Sequence, residues 1–219
     1  MNILALETST PVCSVALKRA DGQVFSRSAS GRGIHSEKTF LFVKEVTEEA
    51  GISISDLDVL LTTSGPGSYT GLRIGASAAR GMLFDSDDIP TKFYALNTLA
   101  ALSMNGSEGE TIHCVINARR THLYHAAFSL TSGVPVTIYE PDTRLISEIE
   151  GMLKPSKIIA GTGIQRIESQ YLKEIKVFGD EEAVTALNLI RLYEAERDSG
   201  SFSWCREFDP DEFEPVYHA

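Results

Sequence analysis

Residues 2–27 read NILALETSTPVCSVALKRADGQVFSR, and the punctuation of this stretch decides the fold class. Two short runs rich in Ile, Leu and Val, over residues 2–7 and 12–18, precede Asp21-Gly22 and a third run over 23–27. Asp-Gly accepts the positive φ of a tight hairpin turn, so the pattern predicts a three-stranded antiparallel start. A helix is expected over 36–50, with Gly51 as its stop. On a helical wheel Thr39, Phe40, Phe42, Val43, Val46, Thr47 and Ala50 share one face, and Leu41 joins the charged residues on the other. A strand over 59–63, a glycine-rich turn, a helix over 71–84, a strand over 92–96 and a helix over 98–104 follow. That alternation implies an α/β sheet with parallel strands.

At Asn105-Gly106-Ser107-Glu108-Gly109-Glu110 the chain turns polar, which divides it into a first lobe over 1–105 and a smaller lobe over 110–219. The plan then restarts with strands over 112–117, 122–129 and 134–139, the last two joined across Ser132-Gly133. Glu7 and Asn117 lie 110 positions apart, and Gly22 and Gly133 lie 111 apart, so the two hairpin starts are in near register. The reading is a structural duplication. The second copy continues with a helix over 143–153, a strand over 157–160, Gly161-Thr162-Gly163 in the place of Ser64-Gly65-Pro66-Gly67, and a helix over 182–197. It is shorter and less complete.

The chain has 219 residues, 42% of them hydrophobic, and 30 Asp+Glu against 20 Lys+Arg give a net charge of −10. Such a chain buries a sizeable core, which excludes disorder and fibrous repeats. No apolar run approaches the ~18–20 residues of a membrane helix, and the first residues carry no basic segment, so neither a membrane span nor secretion is expected. Cys13, Cys114 and Cys205 are odd in number and far apart, without a CxxC pair. Neither a disulfide framework nor a thiolate metal site follows, and a reducing cytoplasm fits.

The run from Ser64 through Gly65, Pro66, Gly67, Ser68, Tyr69, Thr70, Gly71, Leu72, Arg73 and Ile74 to Gly75 lies between a strand and a helix. Free backbone N–H groups at such a place can hold an anion. A Walker A loop needs a Lys, and none is present; a dinucleotide fingerprint needs a sixth-place Gly, and Thr70 stands there. The alternative, that the glycines permit tight turning and close packing on the sheet, is preferred. In the following helix Gly71, Gly75, Ala78 and Met82 make a small-residue stripe. The apolar arc of the preceding helix spans roughly 160°, where a core-facing stripe needs only about 100°. Phe40, Phe42, Val43 and Val46, together with Gly71, Gly75, Ala78 and Met82, are therefore expected to form a partner interface.

Several pieces together carry a resemblance: residues 3–10, Ile-Leu-Ala-Leu-Glu-Thr-Ser-Thr; His35-Ser36; the run from Gly65 to Gly75; and Pro215-Val216-Tyr217. On these the chain resembles the TsaB (YeaZ) family of bacterial threonylcarbamoyladenosine biosynthesis proteins. The resemblance implies an α/β fold, the two-lobed actin-like ATPase (ribonuclease H-like) duplication with a reduced second lobe. It implies a noncatalytic scaffold that pairs with the catalytic subunit TsaD and, with the ATPase TsaE, supports threonylcarbamoyl transfer to an adenosine of tRNA. The family motif then comprises Gly65, Pro66, Gly67, Ser68, Tyr69, Thr70, Gly71 and Arg73. Two departures stand out. Asn117-Ala118-Arg119 replaces the usual Asp-Ala-Arg, and the usual Pro-x-Tyr-Leu-Arg ending reads Pro215-Val216-Tyr217-His218-Ala219.

Two enzymatic readings stand beside the scaffold: an ATP-dependent phosphotransferase of actin-like fold, and a metal-dependent protease of the glycoprotease type. The His-x-x-x-His metal pair of TsaD-like proteins is missing, because Thr39 follows His35 at the fourth place. His122 and His125 fall on opposite faces of a strand and are expected to be surface or packing residues. Glu7 is expected to cap the turn at Thr8-Ser9 rather than to orient a phosphate. Arg119 and Arg120 reach either an acidic group on a partner or RNA, or only solvent at a sheet edge. No catalytic set, metal or cofactor is expected in the isolated chain, and a homodimer is expected when it is alone.

With no basic run longer than Arg119-Arg120, the chain lacks the Lys/Arg patch whose counterion release drives phosphate-backbone binding. RNA is then contacted only through a complex. In a gel-shift titration at near-physiological salt the isolated chain is expected to leave tRNA unbound; micromolar or tighter binding contradicts this.

Overall fold

The computed structural model describes residues 1–84, 91–153 and 158–216. The opening stretch forms β1 (Ile3–Glu7), β2 (Val12–Lys18) and β3 (Val24–Ser30), paired antiparallel in sequence order, with Gly22 at φ 90° in the second turn. β1 and β2 are buried along almost their whole length because both faces of the sheet are covered, whereas β3 alternates along an open edge. α1 (His35–Ala50) ends on Gly51 at φ 68°, whose N–H returns to the carbonyls of Glu48 and Thr47. β4 (Val59–Gly65) runs parallel to β1, and α2 (Tyr69–Leu83), β5 (Lys92–Asn97) and α3 (Thr98–Ser103) complete the first unit.

The second unit comprises β6 (Thr111–Asn117), β7 (His122–Thr131), β8 (Val134–Leu145), α4 (Ile146–Met152), β9 (Ile158–Ala160), β10 (Lys176–Phe178), α5 (Asp180–Ala183) and α6 (Ala186–Ser199). The strand order β5-β4-β1-β2-β3 of the first sheet recurs as β10-β9-β6-β7-β8 in the second. Parallel and antiparallel senses also match pair for pair. The duplication is therefore present. The second copy is reduced: where β4 leads into the 15-residue α2, β9 leads into a 3-10 turn over Thr162–Arg166.

Several boundaries differ from the sequence expectations. β8 continues through residues 140–145, because Thr143 and Leu145 extend the ladder opposite Tyr124 and His122 beyond a bulge at His125/Ala127. The helix expected over 143–153 accordingly starts only at Ile146. The helix expected over 182–197 is broken between Ala183 and Ala186, where the Ala186 N–H bonds the Ser14 hydroxyl at 3.0 Å. α2 begins two residues earlier than expected, since the Ser68 hydroxyl accepts from the Gly71 N–H at 3.2 Å and caps it. Residue 157, the expected start of a strand, and Tyr217, His218 and Ala219 lie outside the described residues.

A further difference concerns the tail. After α6 the chain returns to the first sheet, where β11 (Cys205–Glu207) pairs antiparallel with β5. The carboxylate of Glu196, fully buried, accepts the N–H groups of Ser203, Trp204 and Cys205 at 2.9 Å each. Arg80 of α2 donates to the carbonyls of Pro210 and Phe213, and the Phe213 ring enters the core beneath α2. Sheet membership thus places residues 205–207 with the first half, a return absent from the 1–105 and 110–219 division.

Five layers result. α1 and α2 cover one face of the first sheet, α3 and α6 lie between the two sheets, and α4 with the 3-10 turns covers the outer face of the second. Among the described residues no helix is long and apolar enough to cross a membrane.

The small-residue stripe of α2 packs inward. A Cβ on Gly75 would stand 2.6 Å from Thr8 Oγ1 and 2.9 Å from Thr62 Oγ1, and one on Gly71 would collide with the Thr8 carbonyl. Gly75→Val is therefore expected to overpack the sheet and to destabilise the fold by about 1–3 kcal/mol, read as a lower urea midpoint. An unchanged midpoint would place Gly75 in an external contact instead.

Candidate functional site

The glycine-rich turn leaves β4 at Gly65, which takes φ 114° and lies against the Val216 carbonyl of the tail. A Cβ on Gly67 would collide with the carbonyl of Ser9, and that carbonyl accepts the Ser68 N–H at 2.6 Å. Thr8 Oγ1 donates to the Gly71 carbonyl at 2.8 Å. The turn is thus built to press against the β1–β2 connection, which is the close-packing reading. At the end of β1 the buried Glu7 carboxylate accepts from both the N–H and the hydroxyl of Ser9, each at 2.6 Å, and so caps that connection. Burial raises its pKa to about 7 against the opposing pull of the Ser9 bonds.

Beyond these turns a cleft of about 850 Å³ opens between the two halves. One wall is Ser9, Thr10, Gly67, Ser68 and Tyr69; the other is residues 116–120, His122, Tyr124, Thr143 and Thr162, with Val216 at the rim. Among the described residues that line it none is Asp or Glu. Asn117 holds the place in the second half that Glu7 holds in the first. Its N–H bonds Thr162 Oγ1 at 3.2 Å, and its Nδ2 donates to the Thr162 carbonyl at 2.9 Å. A carboxylate cannot donate that second bond, so the contact calls for the amide that Asn117 supplies. Arg166 Nη1 donates to the carbonyls of His122 at 3.1 Å and Ala118 at 3.4 Å, which ties down the loop that carries Arg119 and Arg120. Thr143 and Arg166 belong to no motif read in the sequence; only the fold brings them to Thr10 and Thr162.

A second hollow, of about 460 Å³, runs between α1 and α2, lined by Thr39 and Phe40 among others on α1 and by Tyr69, Arg73, Ile74 and Ala78 among others on α2. Phe40 and Tyr69 are each 52% exposed there. Of the residues expected in a partner interface, Phe40 and Ala78 line this groove, and Met82 is half-buried against the core. Phe42, Val43 and Val46 lie in the core of the first half, and Gly71 and Gly75 pack on Thr8. The physical reason is that the first sheet covers most of the α1 apolar arc. Only Phe40, at its margin one heptad before Thr47, is left out.

The histidines have local partners. His35 Nε2 meets the Val12 carbonyl at 3.2 Å, and a carbonyl can only accept, so that nitrogen carries the proton. His122 faces the cleft, whereas His125 is buried and lies 2.8 Å from His113, a neighbour not singled out in the sequence. Arg144 donates to His125 Nδ1 at 3.1 Å, which leaves His125 Nε2–H to donate to His113 Nδ1. Burial pushes both rings down, to about 4 for His113 and about 3 for His125, and the Arg144 charge adds to the second shift. They are neutral packing groups. Among the described residues no three His, Cys, Asp or Glu side chains gather as a metal set.

Glu7 sets a pH dependence with a definite sign. A carboxyl whose folded pKa is raised contributes stability fully present below its unfolded value of 4.5 and lost as pH rises through about 7. Relative to wild type, Glu7→Gln is expected to gain on the order of 2 kcal/mol between pH 5 and pH 8. Paired thermal melts across that range check this, and a constant difference contradicts it.

Comparison with known proteins agrees with the geometry. Residues 29–181 match the family described as TsaD, tRNA N6-adenosine threonylcarbamoyltransferase. The tRNA threonylcarbamoyladenosine biosynthesis protein TsaB of Haemophilus influenzae is 30% identical over 124 residues, 57% of this chain and 52% of that protein. TsaB of Bacillus subtilis is 28% identical over 155 residues, 70% of this chain and 66% of its own length. The chain thus matches between about half and two thirds of the length of these relatives. The structure of YeaZ from Pseudomonas aeruginosa superposes with a TM-score of 0.79 at 23% identity, covering 99% of both chains, and so shares the two-lobed actin-like fold. With the glycine-rich turn, the duplicated hairpins and the match over residues 29–181 in agreement, the chain belongs to the TsaD family of threonylcarbamoyltransferase-related proteins, on its TsaB (YeaZ) branch.

Proposed function

We propose that this chain is a noncatalytic partner subunit in the synthesis of threonylcarbamoyladenosine in tRNA. It docks a TsaD-like catalytic subunit through the α1–α2 groove and works with a TsaE-like ATPase. The observation that carries the reading is the groove itself, an apolar hollow flanked by two half-exposed aromatic side chains on adjacent helices. The proposed face is narrower than the arc read from the sequence: Phe40, Tyr69, Ile74 and Ala78, bordered by Met82. The name carried by the relatives, a tRNA threonylcarbamoyladenosine biosynthesis protein, supports the pathway. Free of a larger partner, the same face closes on a second copy by twofold symmetry.

Phosphotransfer and proteolysis draw less support. The cleft wall offers no carboxylate among its described lining residues to hold a nucleotide-bound cation, and Glu7 is already bonded to Ser9. His35, the remaining half of the TsaD-like metal pair, is turned to the Val12 carbonyl. RNA contact is assigned to the complex, given the net charge of −10.

Phe40→Asp tests the docking face. Phe40 lies outside the core, so melting is expected to stay within about 0.5 kcal/mol of wild type. Co-purification with the TsaD-like subunit is expected to weaken tenfold or more, since a half-exposed aromatic anchor at an interface is worth about 2 kcal/mol. Retained pairing at wild-type affinity would sink the proposed face.

A further inference from the structure

We propose that Arg144, His125 and His113 form a proton-sensitive latch that holds the second half of the edge strand β8, residues 139–145, on β7. The inference rests neither on the cleft nor on docking by the α1–α2 groove. The strand needs a device there. Its ladder with β7 shifts register twice, between His125 and Ala127 and between Ala127 and Phe128, and Pro141 has no N–H to give it. Arg144 fills the gap. Its Nη1 reaches the carbonyls of Glu140 and His125, each at 3.0 Å, and His125 Nδ1 at 3.1 Å. One guanidinium thus closes the bulge, and one of its three acceptors is an imidazole nitrogen.

A count of lone pairs shows how the latch opens. A guanidinium only donates, so His125 Nδ1 accepts, and His125 Nε2–H donates to His113 Nδ1 at 2.8 Å. Each ring has then committed its basic nitrogen. A proton added to His113 Nδ1 meets the His125 Nε2–H, and one added to His125 Nδ1 meets Arg144, donor against donor and cation against cation. Both rings are buried, stacked with centroids 5.1 Å apart and flanked by the Tyr139 ring, so water cannot replace the bond that is lost. Few ionisable groups face the pair. β8 brings Tyr139, Arg144 and Asp142, the last two 3.8 Å apart; β9 brings only Ile158, Ile159 and Ala160; on α4, Glu148 and Glu150 are turned to the N–H groups of Leu145 and Glu168. Among the described residues no carboxylate bonds either ring and favours its charge. Burial holds His113 at about 4 and His125 at about 3, against an ordinary 6.5. The latch is therefore fully closed above 6.5 and is lost as pH falls through those two values. The segment it frees carries Thr143 of the cleft wall and leads into α4.

The test is hydrogen–deuterium exchange of the full chain at pH 7 and pH 4.5, corrected for the intrinsic exchange rate at each pH. Residues 139–145 are expected to be protected at pH 7 and to open more often at pH 4.5, by on the order of a hundredfold for each imidazole that the opening exposes, while β4 and α6 keep their protection. His113→Asn/His125→Asn leaves an acceptor near each Nδ1 position but does not titrate, and its opening is expected to be alike at both pH values. His125→Asn alone is expected to show a weaker pH response than wild type. Arg144→Met is expected to open the segment already at pH 7. If no histidine variant folds, the wild-type comparison decides. The latch is overturned if residues 139–145 of wild type are equally protected at both pH values or open only together with β4 and α6. It is also overturned if the histidine variants keep the wild-type response, or if Arg144→Met is as protected as wild type at pH 7.

Discussion

The structure depends on one layer of helix packed between two sheets. α3 and α6 lie between the two sheets, and all six residues of α3 are buried. Leu189, Ile190, Leu192 and Tyr193 of α6 share one core with Ile3, Ala5 and Leu61 of the first sheet and Ile112, Cys114 and Phe128 of the second. Each large apolar side chain buried there is worth about 1.5–3 kcal/mol, whereas a half-exposed ion pair such as Lys18–Glu194 across the same boundary adds at most about 1 kcal/mol. Apolar burial therefore sets how the halves sit, and the polar groups in the layer must be satisfied within it. Asn188 Nδ2 donates to the Ala183 carbonyl at 2.9 Å and Ser103 to the Ala100 carbonyl at 2.6 Å, whereas the buried Thr98 hydroxyl at the start of α3 has no partner among the described residues.

What could be read from the sequence is what local chemistry encodes. Asp21-Gly22 and Ser132-Gly133 announce their hairpins, and their near-equal offset from the preceding strands announces the duplication, because a hairpin turn is specified by the residues in it. The tail could not be read this way. β11 is three residues long, and its place beside β5 is fixed by the Glu196 carboxylate, which holds the loop before it, and by Arg80 and the burial of Phe213, contacts made across long stretches of chain. The same limit explains α1. A helical wheel shows that Phe42, Val43 and Val46 are apolar together with Phe40, but not how much of the arc a twisted sheet will cover.

The glycine-rich turn is specific for a reason other than a ligand. Gly67 and Gly71 stand where any side chain would strike the carbonyls of Ser9 and Thr8, and Gly65 takes a positive φ against the tail carbonyl of Val216. Three chain segments, the β1–β2 connection, the turn and the tail, meet there with backbone against backbone. A motif of this sort is demanding because substitution displaces all three at once. That accounts for a recognisable sequence signature without requiring an anion at its centre. The cleft residues Thr10, Thr143 and Thr162, by contrast, come from separate turns and strands, and no spacing in the sequence joins them.

The two hollows meet at one residue. Tyr69, the first residue of α2, lines the cleft with its neighbours Gly67 and Ser68 and lines the groove with Thr70 and Arg73, whose guanidinium lies 4.1 Å over its ring. Its backbone is set by the Ser68 cap, and that cap is anchored to Ser9 by the 2.6 Å bond from the Ser68 N–H. The duplication thus leaves an open cleft on one side of α2 and a shallower groove on the other, with a single aromatic side chain shared between them.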